Sequence, residues 1–227
     1  MSNQEIKDYD EKGNCIHFND SKGVEEWFDV EGNVIHSKDS DGSEEWCEYD
    51  ENAKASHYKD SDGYEAWMNY DEKGNRVHYR NSDGVELWYD DIGNIIHWKD
   101  SEGFEVWDDY DEKGNRVHYK NSAGKEWWKE YNEKGKVTHH KNSGEFEEWY
   151  DYDEVGNRVH FKDSHGNRWW KDYDENGNQV HYKNSLGYEC WTDYDEEGSC
   201  VRWKDPYGNE WRQEYDKNGN IPVIPMG

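Results

Sequence analysis

The chain alternates between two kinds of residue. In the copy from Asn75 to Asp90, NRVHYRNSDGVELWYD, Val77 and Tyr79 alternate with His78 and Arg80, and Leu87 and Tyr89 alternate with Glu86 and Trp88. A period of two with unlike sides is the mark of a β-strand. Between the two runs lies Asn81-Ser82-Asp83-Gly84, which suits a type I turn closed by a left-handed glycine, the three-residue hairpin loop. A later copy has Asp205-Pro206-Tyr207-Gly208, with proline where its fixed φ matches the turn. Such a loop sets the register. Asn81 faces Val85, Arg80 faces Glu86, Tyr79 faces Leu87, His78 faces Trp88, Val77 faces Tyr89 and Arg76 faces Asp90. The pairs match in charge or in apolar character, whereas a slip of one residue would set charges against aromatics.

A second turn links each hairpin to the next. Tyr70-Asp71-Glu72-Lys73-Gly74-Asn75 reads as a four-residue loop that pairs Tyr70 with Asn75. It puts Asn69 beside Arg76, Met68 beside Val77 and Trp67 beside His78. Most of these glycines recur every 21 residues, but Gly13 to Gly32 and Gly74 to Gly93 are 19 apart. Both deletions are assigned to the second loop, shortened to Glu31-Gly32 and Ile92-Gly93. Losing two residues preserves facing in a strand but would rotate a helix by about 200°.

The expected fold is therefore all-β: an antiparallel β-meander repeat array of about ten 19–21-residue repeats, two strands each, forming a large twisted or spiral single sheet. A polar lead-in covers residues 1–7, the hairpin repeats cover 8–214, and a capping strand covers 215–227. Pro222 and Pro225 in that last segment would blunt an exposed edge.

Two columns run through the repeats. Histidine stands at 17, 36, 57, 78, 97, 118, 139, 160 and 181, with Arg202 in the tenth place. Tryptophan stands at 27, 46, 67, 88, 107, 128, 149, 170 and 191. Glutamate precedes that tryptophan by two residues in eight of nine copies; the exception, Arg168, faces Lys162. The register expects a stripe of alternating Trp and His across all strands on one face. The Val/Tyr face is expected to be buried.

Composition adjusts this picture. Only 31% of the 227 residues are hydrophobic, but 14 Trp and 18 Tyr supply apolar area in a form that strands favour. The net charge of −27 argues against direct contact with nucleic acid, where affinity comes from Lys and Arg on phosphates. It points instead to a basic protein partner. No apolar segment follows Met1 and no run is long enough to span a bilayer, so the expectation is a cytoplasmic chain without a membrane partner. The pattern is compatible with homo-oligomers. Cys15, Cys47, Cys190 and Cys200 hold unrelated repeat positions and give no disulfide framework or zinc spacing.

Candidate chemistry is sparse. Consecutive histidines of the column lie two strands apart, about 9.5 Å, too far to share a zinc ion. The loop Asp174 to Asn178 has a faint calcium-loop look but lacks the closing glutamate. Carboxylates recur in every copy, whereas an active site is singular, and no nucleophile–base set stands out. The expectation is a protein that is not an enzyme and has no cofactor. Two binding surfaces remain. The first is the acidic edge, represented by Asp71, Glu72, Asp111, Glu112, Asp153 and Glu154, presented to a basic groove as a scaffold or inhibitor of the immunity or counter-defence kind. The second is a glycan-binding stripe formed by Trp67, Trp88, Trp107, Trp128 and Trp149.

The succession Tyr194-Asp195-Glu196-Glu197-Gly198, a strand, Asp205-Pro206-Tyr207-Gly208, a strand, and Tyr215-Asp216 resembles the YD repeats of Rhs-type proteins. That resemblance covers nearly the whole chain through its turn residues. It implies a β-sheet that winds into a shell, in toxin or carbohydrate contexts. A looser likeness is to MORN-type hairpin arrays, which carry no enzymatic site of their own.

Overall fold

The computed structural model describes residues 6–20 and 22–212. These contain 21 strands and no helix. The strands are β1 (Ile6–Tyr9), β2 (Cys15–Asn19), β3 (Glu25–Phe28), β4 (Val34–Lys38), β5 (Glu44–Tyr49), β6 (Ala55–Asp60), β7 (Glu65–Tyr70), β8 (Arg76–Asn81), β9 (Glu86–Tyr89), β10 (Ile95–Lys99), β11 (Glu105–Tyr110), β12 (Arg116–Asn121), β13 (Glu126–Tyr131), β14 (Val137–Asn142), β15 (Glu147–Tyr152), β16 (Arg158–Asp163), β17 (Arg168–Tyr173), β18 (Gln179–Asn184), β19 (Glu189–Tyr194), β20 (Cys200–Lys204) and β21 (Glu210–Arg212). They form a single unclosed antiparallel sheet, the meander that the two-residue period predicts. The capping strand expected at 215–227 and residues 1–5 of the lead-in lie outside the described residues. The chain divides into two compact units, Met1–Gly114 with Tyr119–Gly124 and Asn115–His118 with Lys125–Gly227.

The first kind of hairpin has the expected register: His78 opposes Trp88, Tyr79 opposes Leu87 and Arg80 opposes Glu86. Its loop closes with Asn81 N donating to Val85 O at 3.0 Å and Gly84 N donating to Asn81 O at 3.1 Å. Arg168 does face Lys162.

The second kind differs from expectation. Its loop is not four residues long but repeats the three-residue form, with Asp71 N donating to Asn75 O at 2.9 Å and Gly74 N to Asp71 O at 3.0 Å. Tyr70 then opposes Arg76, Val77 drops out of the ladder as a β-bulge, and Asn69 opposes His78. Met68 consequently meets Tyr79, and Trp67 meets Arg80 rather than His78. A tight loop plus one bulged residue shifts the partner strand by two positions relative to the four-residue reading.

The two deletions are also placed differently. Loops Asp29–Asn33 and Asp90–Asn94 close with the same pair of bonds as the others. The missing residues come from the strands: β3 and β9 have 4 residues where β7 has 6. Facing is preserved, as the period requires, but the partner changes. Trp27 opposes His36 and Trp88 opposes His97.

This register explains the Tyr-Asp pair. Between β6 and β7 only three pairs form, ending at His57 and Trp67. Beyond that point the strands part, and the Tyr70 hydroxyl reaches across to donate to Ala55 O at 2.9 Å. Tyr49 and Tyr152 do the same to Val34 O and Val137 O, at 2.9 and 2.8 Å. The tyrosine satisfies a carbonyl that the ladder abandons, and its ring covers the gap. Burial on the Val/Tyr face is only partial. Ala66 and Cys190 are the buried hydrophobic side chains among the described residues.

Candidate functional site

On the Trp face each histidine of the column lies against a tryptophan, and in the fullest form it is held from three sides. His181 stacks on Trp191 with ring centroids 5.3 Å apart, while Nδ1 lies 2.8 Å from Asp172 and Nε2 lies 3.0 Å from Glu189. His17 repeats this with Trp27, Asp8 and Glu25. The two carboxylates come from neighbouring strands: one stands two residues after a tryptophan, the other two residues before the next. The conserved spacing within the chain thus builds a clamp, and the tenth copy keeps it with Arg202 between Asp193 and Glu210. At His160 the second carboxylate is missing, because Arg168 replaces it. Nε2 of His160 is buried there with no hydrogen-bond partner, as are those of His57, His78 and His139, although Glu65 and Glu147 lie 3.5 Å from the first and last of these.

The stripe does not run unbroken across all strands. It is continuous only through the short hairpins, where His17, Trp27, His36 and Trp46 stack at 4.9, 4.2 and 4.9 Å. His78, Trp88, His97 and Trp107 do the same at 5.0, 4.2 and 5.0 Å. Elsewhere each His–Trp pair ends against a cation. Trp67 has His57 on one side and the Arg80 guanidinium 4.5 Å from its ring centre on the other. Trp149 lies between His139 and Lys162 in the same way. Trp128 stacks on His118 and opposes Lys141. Within the first unit Trp67 is therefore separated from the stacked Trp88 and Trp107, and within the second Trp128 and Trp149 each end against their own lysine, so in neither unit do the tryptophans named from the sequence form one platform.

The six edge carboxylates fall into two groups. Asp71, Asp111 and Asp153 accept backbone N–H bonds inside their own turns. Asp71 Oδ1 takes the N–H groups of Lys73 and Asn75, while Oδ2 takes the Asn75 amide. These bonds, the Asn75 N–H first, hold the Asp71 carboxyl below its usual range. Glu72, Glu112 and Glu154, one residue on, are exposed. Sequence reasoning missed a second row, the carboxylates two residues after tryptophan. Glu48, Glu130, Asp151 and Asp172 have side chains 76%, 73%, 72% and 71% exposed while contacting histidine. The recurring Trp-x-Asp/Glu-Tyr-Asp string carried that signal. Among the described residues no three His, Cys, Asp or Glu converge as a metal site, and the four cysteines are free. No helix is long and apolar enough to cross a membrane.

No protein-family model and no curated protein matches the chain. Solved structures do. A crystal structure of TcdB2-TccC3-TEV aligns over 96% of this chain and 14% of that one, at 11% identity and a TM-score of 0.47. TcdB2-TccC3 alone aligns over 89% and 13%, at 11% identity and a TM-score of 0.45. The TCP10 domain of Danio rerio CPAP, in complex with a peptide of Danio rerio STIL, aligns over 92% and 97%, at 14% identity and a TM-score of 0.25. The chain spans about one seventh of the length of the toxin-complex chains.

Proposed function

We propose that this chain is a non-enzymatic acidic scaffold that binds a basic protein surface and blocks it. The observation that carries the reading is the double row of carboxylates at the turn edge within each unit. Outward turn glutamates (Glu72, Glu112, Glu154) stand beside exposed carboxylates two residues after tryptophan (Glu48, Glu130, Asp151, Asp172). Within a unit, successive turns on that edge are two strands apart, about 9.5 Å measured across the strands, so the charge is periodic. A periodic negative row suits a basic groove, including that of a nucleic-acid-binding protein, which fits an immunity or counter-defence inhibitor. The turn aspartates add charge to the row while their oxygens are engaged in closing loops.

The division of labour in Tyr-Asp, a ring that closes a gap and a carboxylate that closes a turn, supports a YD-type repeat. The glycan reading has less support. Trp67, Trp88 and Trp149 carry a histidine or cation on both ring faces, leaving no open face for a sugar.

The test compares the chain with its E72K/E112K/E154K variant as bait in lysate, eluting with salt steps read by mass spectrometry. The expected result is a basic protein that the parent captures, that leaves as salt rises past about 0.15 M, and that the variant fails to retain. Capture unaffected by salt or by charge reversal would overturn the reading.

A further inference from the structure

The opposite face carries a different feature within the second unit. Across β12 to β16 it opens into a cavity of about 680 Å³. Its lining departs from the rest of the face. The position after histidine is aromatic in Phe18, Tyr58, Tyr79, Trp98, Tyr119, Phe161 and Tyr182 and is Ser37 in one copy, but is the ionisable His140 here. The position before the strand that follows this turn is apolar or aromatic in Val24, Tyr64, Val85, Phe104, Phe146 and Tyr188 and neutral polar in Ser43, Asn167 and Asn209, but is a cation, Lys125, here. The position after tryptophan, Met68 in β7, is Lys129 in β13 and lysine again, Lys171, only in β17.

The cavity has two aromatic walls, each carrying cations. Trp127 lies between Arg116 at 4.9 Å and Lys129 at 4.5 Å from its ring centre. Tyr150 lies under Arg158 at 4.0 Å. His140 on β14 forms the floor, opposite Lys129 on one side and Glu148 on the other. Glu148 is already engaged: it lies 3.4 Å from His140 Nδ1 and accepts the Tyr150 hydroxyl at 2.5 Å. Burial and that carboxylate together push the Tyr150 hydroxyl well above its usual range, so it remains a donor. Arg116, Lys125, Lys129 and Arg158 thus line one concavity together with two carboxylates, Glu126 and Glu148, leaving a local excess of cations in a chain whose net charge is −27. Local positive charge of this kind is offset best by an anion, and two aromatic walls suit a flat body.

We propose that this cavity binds a small anionic ring compound, with its phosphate or carboxylate between Arg116, Lys129 and Arg158 and its ring against Trp127 and Tyr150. Its volume falls in the range of small-molecule sites, large enough for a mononucleotide or an acidic disaccharide. The site lies on the face opposite the clamps and does not depend on the acidic edge.

The test is a calorimetric and tryptophan-fluorescence titration of the full chain with phenyl phosphate, adenosine monophosphate, a glucuronate disaccharide, inorganic phosphate and adenosine. Arms for K129Q, R158Q and K171Q accompany it. Lys171 makes the same kind of contact with Trp169, at 4.8 Å, outside the cavity, and so controls for general charge. At least one ring anion should bind about tenfold tighter than both inorganic phosphate and adenosine, and K129Q or R158Q should each weaken it about tenfold while K171Q leaves it unchanged. The ring anion that binds separates a nucleotide source from a sugar-acid source. Unchanged far-UV and thermal profiles of the variants exclude unfolding as the cause. If no ring anion outbinds inorganic phosphate, or if K171Q weakens binding as much as K129Q, the proposal fails.

Discussion

The hairpins β7–β8 and β9–β10 follow one another in the first unit and use the same turn, the same bulge position and the same Tyr-Asp pair, yet they organise the face differently. In β7–β8, Trp67 lies opposite Arg80, and its column continues to Glu86 on the next strand. Each such hairpin offsets the next tryptophan by two residues, about 7 Å along the strand. In β9–β10, where β9 lacks two residues, Trp88 lies opposite His97, which lies opposite Trp107. The column there runs straight and the offset vanishes. Strand length, rather than the loop, thus decides whether aromatic rings stack across several strands or are isolated between ion pairs. Turn position follows the same rule. In the long hairpin Ser82 N donates to Glu65 O at 2.7 Å, so its turn sits back beside a strand. In the short one the turns abut, and Gly84 lies against Ser101.

The sharpest way to break this comparison is by deletion. Removing Met68 and Asn69 together should convert β7–β8 into the short form, with Trp67 opposite His78. The chain should keep cooperative unfolding, and stacking should add to the near-ultraviolet circular dichroism. Removing Asn69 alone should cost more than about 4 kcal/mol, because Tyr70 and Asp71 turn to the wrong faces and the bond to Ala55 O is lost. Urea unfolding reads both. Equal losses for one and two residues would show that the period of two is not what holds this hairpin.

A second test uses glycines in equivalent turns. Gly63 and Gly84 both have left-handed backbones, with φ of 92° and 83°. A Cβ on Gly63 meets nothing, whereas one on Gly84 would lie 3.0 Å from Ser101 Cα. G63A should cost about 1–2 kcal/mol from backbone strain alone. G84A should cost about twice that, because the abutting turn cannot move aside independently of β10. Matching values by urea unfolding would mean that the turns of the short hairpin do not press on each other.

Most of this architecture was legible in the residues. Alternation gave the strands, the Asn-x-x-Gly loops gave one register, and the 19-residue intervals gave the two special hairpins. The second register was not legible, because a four-residue loop and a three-residue loop with a bulged Val77 use the same number of residues. Only the hydrogen bonds made by Asp71 distinguish them, and these also engage the carboxylate oxygens that the sequence had placed free at the edge. The carboxylates two residues after tryptophan were overlooked for the converse reason. They read as solvated strand residues until the bulge brought them level with a histidine on the next strand. The cavity in the second unit was hidden too, since Lys129 and His140 come together only through pairing.

The smallest expected effect concerns what the two kinds of hairpin share. Asp71 and Asp174 each close a turn, and both carboxyls are held below their usual range. For Asp71 the Asn75 backbone N–H is the main cause, and for Asp174 it is the Asn178 side-chain amide. A carboxyl depressed by folding stabilises the fold above its ordinary titration range, and that contribution is lost as pH falls through the folded value. Asn81, Asn142 and Asn184 already occupy the same turn position and accept the same backbone bonds without a charge to titrate. D71N and D174N should therefore leave the fold intact near neutrality and flatten the fall of Tm between about pH 5 and pH 2. The effect should be the same in the short hairpin with D90N, whose carboxylate accepts Ile92 and Asn94 N–H bonds at 3.0 and 2.8 Å. A flattening confined to the long hairpins would show that strand length reaches into the turn chemistry. Equal flattening would establish the turn as an independent unit that each repeat carries unchanged while its strands vary.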